Sequence, residues 1–172
     1  MEWVTGKRWS VFSLFILLIT TFIFPVYAAD KKKFTVKTTT KANRSNDIVF
    51  LEDKPRHELT QTVVERNMTS TNPDFNDMEV INYSQSDSIA GTGTHRGYSF
   101  YYHKKGDKAF TKWESTHKTK IKEDKSWETN IEGKIEFVGG TGMFENIKGG
   151  GTYNCSATAK GGTCDAELEA EY

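Results

Sequence analysis

The sequence has little proline, little cysteine and no surplus of either charge. Its 172 residues include three Pro and two Cys, and 23 Lys+Arg balance 23 Asp+Glu. A net charge of zero argues against a nucleic-acid partner, because such binders carry a basic surplus. Two cysteines cannot make a four-ligand zinc site. The histidines, His57, His95, His103 and His117, are scattered and none forms an H-E-x-x-H pair, so no metal is expected. There is no G-x-S-x-G elbow, and no spacing suggests an acid–His–Ser set. No nucleotide-binding glycine motif sits in a parallel βαβ unit. Beyond residue 28 no apolar run is long enough to span a membrane. A convincing amphipathic helix is also missing.

What is present begins with a processing pattern. Lys7 and Arg8 precede the uncharged run Val11–Phe24, and Pro25-Val26-Tyr27-Ala28 closes it with small residues. A helix of that length rises only about 21 Å, short of the ~30 Å hydrocarbon core. The pattern predicts a cleaved secretory signal over 1–28, with a permanent anchor as the alternative. The chain is then expected to be secreted or periplasmic, with no stable membrane span after cleavage. No Cys follows the cut, which argues against a lipid anchor, and Lys31, Lys32 and Lys33 sit awkwardly close to it.

Residues 29–54 are rich in Lys, Thr and Asn. They read as a polar, flexible lead-in with one short strand near Phe34–Thr38. A tether to a membrane surface or cell wall is the sharper alternative for the basic run. From His57 the pattern has period two. In Leu59–Asn67 one face is Leu59, Gln61, Val63, Glu65 and Asn67, and the other is Thr60, Thr62, Val64 and Arg66. Tyr98, Phe100 and Tyr102 share one side of a later strand, Phe110 and Trp113 fall on opposite faces of the next, and Phe137 follows in another. Gly91, Gly93 and Gly97 break the stretch between 91 and 97. Short strands recur every 8–12 residues, separated by turn residues, which predicts an all-β antiparallel closed barrel of about eight strands over 55–172. A barrel of that size can be filled or hold one small ligand. Val63, Tyr98, Phe100, Tyr102, Trp113 and Phe137 are the expected cavity lining for a small apolar or amphipathic ligand.

Cys155 and Cys164 flank a hairpin tip, SATAKGGT. With a four-residue loop at 158–161 they face each other across an antiparallel pair, within disulfide reach. A disulfide is expected, with two reduced thiols as the alternative. Gly139-Gly140-Thr141-Gly142 reads as a barrel-corner turn. A phosphate cradle is the weaker reading, because the Walker Lys-Ser/Thr is missing.

Two stretches carry a resemblance. Tyr98-Ser99-Phe100-Tyr101 and Gly139-Gly140-Thr141-Gly142-Met143-Phe144-Glu145 resemble the Y-S-F-Y and G-G-A-G-I-F-E segments of allene oxide cyclase. Residues 57–172 also resemble an uncharacterised group of secreted bacterial proteins that share a G-Y strand, a G-D turn, G-G-T-G-x-F and G-x-G-T-Y. The resemblance implies a calycin-type barrel of eight antiparallel strands around a central cavity. The cyclase family is trimeric and cofactor-free, so a homo-oligomer without cofactor is implied. Glu65-Arg66-Asn67 matches its E-x-N strand, and Asn72-Pro73 occupies its Ser-Pro loop after a one-residue deletion. The implied catalytic groups are Glu65, Asn67, Asn72 and Pro73, acting on an apolar substrate. From the residues alone, Glu65 can equally sit on the solvent face or the rim. Three readings result: a ligand-binding module, a cofactor-free isomerase or cyclase, and a structural or envelope-stress protein with a filled barrel.

Overall fold

A computed structural model describes residues 31–172. The expected signal segment lies outside the described residues. Eight strands form one closed antiparallel barrel in which each strand pairs with its neighbour in sequence and the last pairs with the first. The strands are β1 (Lys32–Leu51), β2 (His57–Ser70), β3 (Glu79–Ile89), β4 (Thr92–Tyr102), β5 (Lys108–Ile121), β6 (Trp127–Thr141), β7 (Lys148–Thr158) and β8 (Gly161–Glu171). Two 3-10 turns, Pro73–Phe75 and Gly142–Phe144, follow β2 and β6. Among the described residues no helix is long and apolar enough to cross a membrane.

The barrel starts earlier than the sequence suggested. Most of the supposed lead-in is β1, which corrects the 29–54 boundary. Phe34 and Val36 are buried and alternate with exposed Thr35 and Lys37. Thr at 38–40 adds β-branched residues that suit a pleated surface. Two apolar residues suffice there because Thr38 and Thr40 continue the inward face. β1 pairs with β8 from Lys32↔Ala170 to Thr39↔Thr163, and with β2 from Val36↔Ser70 to Leu51↔His57. Past Thr40 it has no β8 partner, because β8 begins at Gly161.

The interior is apolar at one end only. Phe34, Val36, Met68, Val80, Tyr101, Ala109, Phe137, Leu168 and Ala170 point inward and join Phe75, Met78, Phe144 and Ile147 in one cluster. Phe75 is its centre. Its ring lies 5.0 Å from Phe34, 4.8 Å from Phe144 and 5.7 Å from Phe137, centroid to centroid. The two 3-10 turns thus plug the end that holds the chain's C-terminus. Asn72 caps the first turn, accepting from the Asp74 N–H at 3.1 Å and donating to the Tyr172 hydroxyl at 2.9 Å. Pro73 opens that turn, where its missing N–H costs nothing.

The glycines expected to interrupt the chain between 91 and 97 lie in or beside β4. Gly97 faces inward, and a Cβ there would come within 2.6 Å of Trp113. Gly133 plays the same part for Tyr153, at 2.8 Å from its ring. Small residues on one strand make room for large ones on its neighbour.

The hairpin at the other end joins β7 to β8 through a two-residue turn at 159–160, not a four-residue loop. The loop shortens symmetrically, so the register is unchanged: Cys155 opposes Cys164, and the two are joined in a disulfide.

Candidate functional site

Side chains alternate between faces along a strand. The core cluster fixes which face is the lumen. On β2 it is the face of Thr60, Thr62, Val64, Arg66 and Met68, paired across to Ser86, Ser84, Asn82 and Val80 of β3. β4 and β5 contribute His95, Ser99, Tyr101, Trp113, Ser115 and His117.

This phase relocates most of the expected site. Glu65 and Asn67 project from the outer face. Glu65 lies beneath Lys41 and Arg44, whose nitrogens reach its carboxylate at 2.6 and 3.1 Å. A hydrogen bond with the Glu79 carboxyl, reinforced by Lys41 and Arg44, holds its own carboxyl down to about 2. Asn72 and Pro73 belong to the plug. The structure therefore does not bring Glu65, Asn67, Asn72 and Pro73 together around one cavity.

The expected lining is corrected in the same way. Tyr98 is 54% exposed, and Val63 and Tyr102 share its outer face. Phe100 packs on the outside between Tyr83 and Phe110, at 5.5 and 5.3 Å. Trp113 and Phe137 do point inward: Trp113 lines a cavity and Phe137 joins the plug. A wide, open groove of about 1070 Å³ runs over outward side chains including Val63, Tyr83, Tyr98 and Lys112.

The cavity sits above the plug in the middle of the lumen. Its volume is about 110 Å³. Ile131, Ile135, Ala157, Ala166 and the disulfide form an apolar wall. Arg66, Asn82, Ser99, Tyr101 and Trp113 line it from β2 to β5, and Tyr153 enters from β7, beside Ala166 of the apolar wall. The Trp113 indole N–H donates to Ser99 at 2.9 Å, which fixes the ring. Two buried polar atoms here have no hydrogen-bond partner among the described residues, Asn82 Oδ1 and the Tyr153 hydroxyl. Burial pushes the Tyr153 phenol up to about 12 and raises that of Tyr101 as well.

Towards the hairpin end the lumen becomes hydroxyl-rich. Ser84 hydrogen-bonds Thr62, Ser88 donates to Glu58 at 3.2 Å, and Thr119 pairs with Thr129 at 2.8 Å. His95 and His117 sit among them with ring centroids 6.1 Å apart. Burial, then the neighbouring His117, lowers His95 to about 4, so it is a neutral imidazole at pH 7. Burial lowers His117 too, and its Nδ1 is unpartnered among the described residues.

The fold and lumen define a class: an up-and-down, eight-stranded antiparallel barrel, plugged at one end and polar inside at the other. No protein-family model matches this chain, and no curated protein matches it either. The resemblance to allene oxide cyclase therefore rests on the motifs quoted above.

Proposed function

We propose that this protein is an exported binding module that holds a small amphipathic ligand in its lumen. The observation that carries the reading is the pairing of a cavity with orphaned polar atoms. Buried polar groups in folded proteins are almost always satisfied by protein or by ordered molecules. Asn82 Oδ1 and the Tyr153 hydroxyl are not satisfied by protein among the described residues, and both border the cavity. A ligand whose polar end accepts from the Tyr153 hydroxyl would complete that group and lay its apolar end on Ile131 and Ile135, while Asn82 Oδ1, an acceptor, needs a donor such as water. The disulfide supports the export reading, secreted or periplasmic, because such bonds persist in oxidising compartments.

A second reading is a structural barrel with a nearly filled interior. The cavity's size favours it: about 110 Å³ is well below the ~300–1,000 Å³ of typical ligand pockets. The cyclase reading would need Glu65 and Asn67 inside the lumen, and both project from the outer face.

Native mass spectrometry on protein purified from an oxidising compartment separates the first two. A reproducible added mass, removed by organic extraction, is expected for the binding module. A bare chain mass, lighter by the two hydrogens of the disulfide, would favour the structural barrel.

A further inference from the structure

Among the described residues, Arg66 is the one charged side chain placed against the central cavity. It is 8% exposed. Its Nε donates to Thr38 Oγ1 at 2.9 Å, and its Nη2 to the Gly162 carbonyl at 3.2 Å and the Cys164 sulfur at 3.3 Å. Guanidinium has five N–H donors in a flat fork. Among the described residues, those on Nη1 meet no acceptor and no carboxylate forms an ion pair with it.

A buried charge without a partner is costly. Many groups escape that cost by losing their charge, but arginine does not do so in proteins. Burial lowers its pKa below the ordinary guanidinium value. Nearby acids do not help: Glu65 is on the outer face, and Glu58 lies at the hairpin end beside Ser88.

We propose that the lumen binds a short-chain monocarboxylate, with Arg66 as the counter-ion. This rests on the binding-module reading above. A carboxylate matches the planar fork and supplies the missing negative charge. The Tyr153 hydroxyl can donate to a carboxylate oxygen as well. The volume sets the chain length. About 110 Å³ corresponds to roughly four waters at ~30 Å³ each, which suits a few carbons and not a long fatty acid. The apolar wall of Ile131, Ile135, Ala157 and Ala166 would hold the alkyl end.

The test is titration calorimetry on the oxidised protein with butyrate, 1-butanol and formate, on wild type, Arg66→Met and Arg66→Lys. The proposal expects saturable butyrate binding at least tenfold tighter than butanol or formate. Arg66→Met should abolish that preference, and Arg66→Lys should weaken it. In wild type the Arg66 Nε–H NMR signal should shift with butyrate. Butanol binding as tightly as butyrate would overturn the anion site and leave the binding module standing. Formate matching butyrate would overturn the acyl ligand. No heat or shift with butyrate and butanol alike would overturn both readings. The wild-type comparison needs no variant, so a poorly folding Arg66→Met would not rescue the idea.

Discussion

Lowering the pH should cost this barrel stability through one histidine, and the size can be worked out. His95 faces the lumen on β4, beside Trp113 at 4.9 Å and His117, and the charge of Glu58 acts on His117. Its folded pKa is about 4 against 6.5 when free. Above pH 6.5 the ring is neutral folded and unfolded, so it contributes nothing to the pH dependence. Between 6.5 and 4 the unfolded chain binds a proton that the folded chain refuses, so stability falls as pH falls. At 1.36 kcal/mol per unit the full loss is about 3 kcal/mol. His57 acts with the opposite sign. Hydrogen bonds to Asp87 and then Asp53 raise its pKa, so its contribution is complete below 6.5 and disappears as pH rises through the raised value. Comparing wild type with His95→Gln cancels His57 and every carboxylate common to both. Urea unfolding at pH 7.5 and 4.5 should show wild type losing about 2–3 kcal/mol more than the variant. Parallel losses in the two proteins would refute the argument and place His95 in contact with water or an acid.

Three further outcomes follow from the packing. Phe75→Ala empties the centre of the plug and should cost about 3–5 kcal/mol, read as the urea midpoint. Cys155→Ser with Cys164→Ser opens a bridge between residues 9 apart in sequence. In the chain-entropy model it should cost about 2–3 kcal/mol, and a variant melting like the oxidised parent would contradict that. Deleting residues 29–54 should abolish cooperative unfolding by circular dichroism, because it removes the strand that closes the barrel. A truncated chain that melts like the parent would show that β1 is dispensable.

The strand count could be read from the sequence because turn residues recur at short, regular intervals. The inside of the barrel was harder to read, for a physical reason. On β2 both faces are mixed: Leu59 and Val63 lie on one, Val64 on the other. Met68, which extends the Thr60–Arg66 face into the plug, is the residue that distinguishes them. The motif match to E-x-N drew attention to Glu65 and Asn67, and Arg66 between them is the inward residue. On β4 the bulkier row, Tyr98, Phe100 and Tyr102, faces out. The inward row holds Gly97 and Ser99, because Trp113 and Tyr153 from other strands already fill that space. Size complementarity across strands is invisible to a reading made one strand at a time. β1 was legible only as a short strand near Phe34–Thr38, because Thr38 and Thr40 look like surface residues until β8 covers them. The disulfide was legible because hairpin register depends only on the symmetry of its turn.

The way the barrel closes also dictates its history as a folding chain. Every other pairing joins strands that are adjacent in sequence, and each can form as a local hairpin. The seam between β1 and β8 instead joins Lys32 to Ala170, across nearly the whole described chain. Pairings with such large sequence separation close the longest loop and form slowest. Until β8 is in place, the first strand has a bare hydrogen-bonding edge along all its length. A chain made in N-to-C order therefore carries the bare edge of Lys32–Thr39 until β8, the last strand of the barrel, has been made.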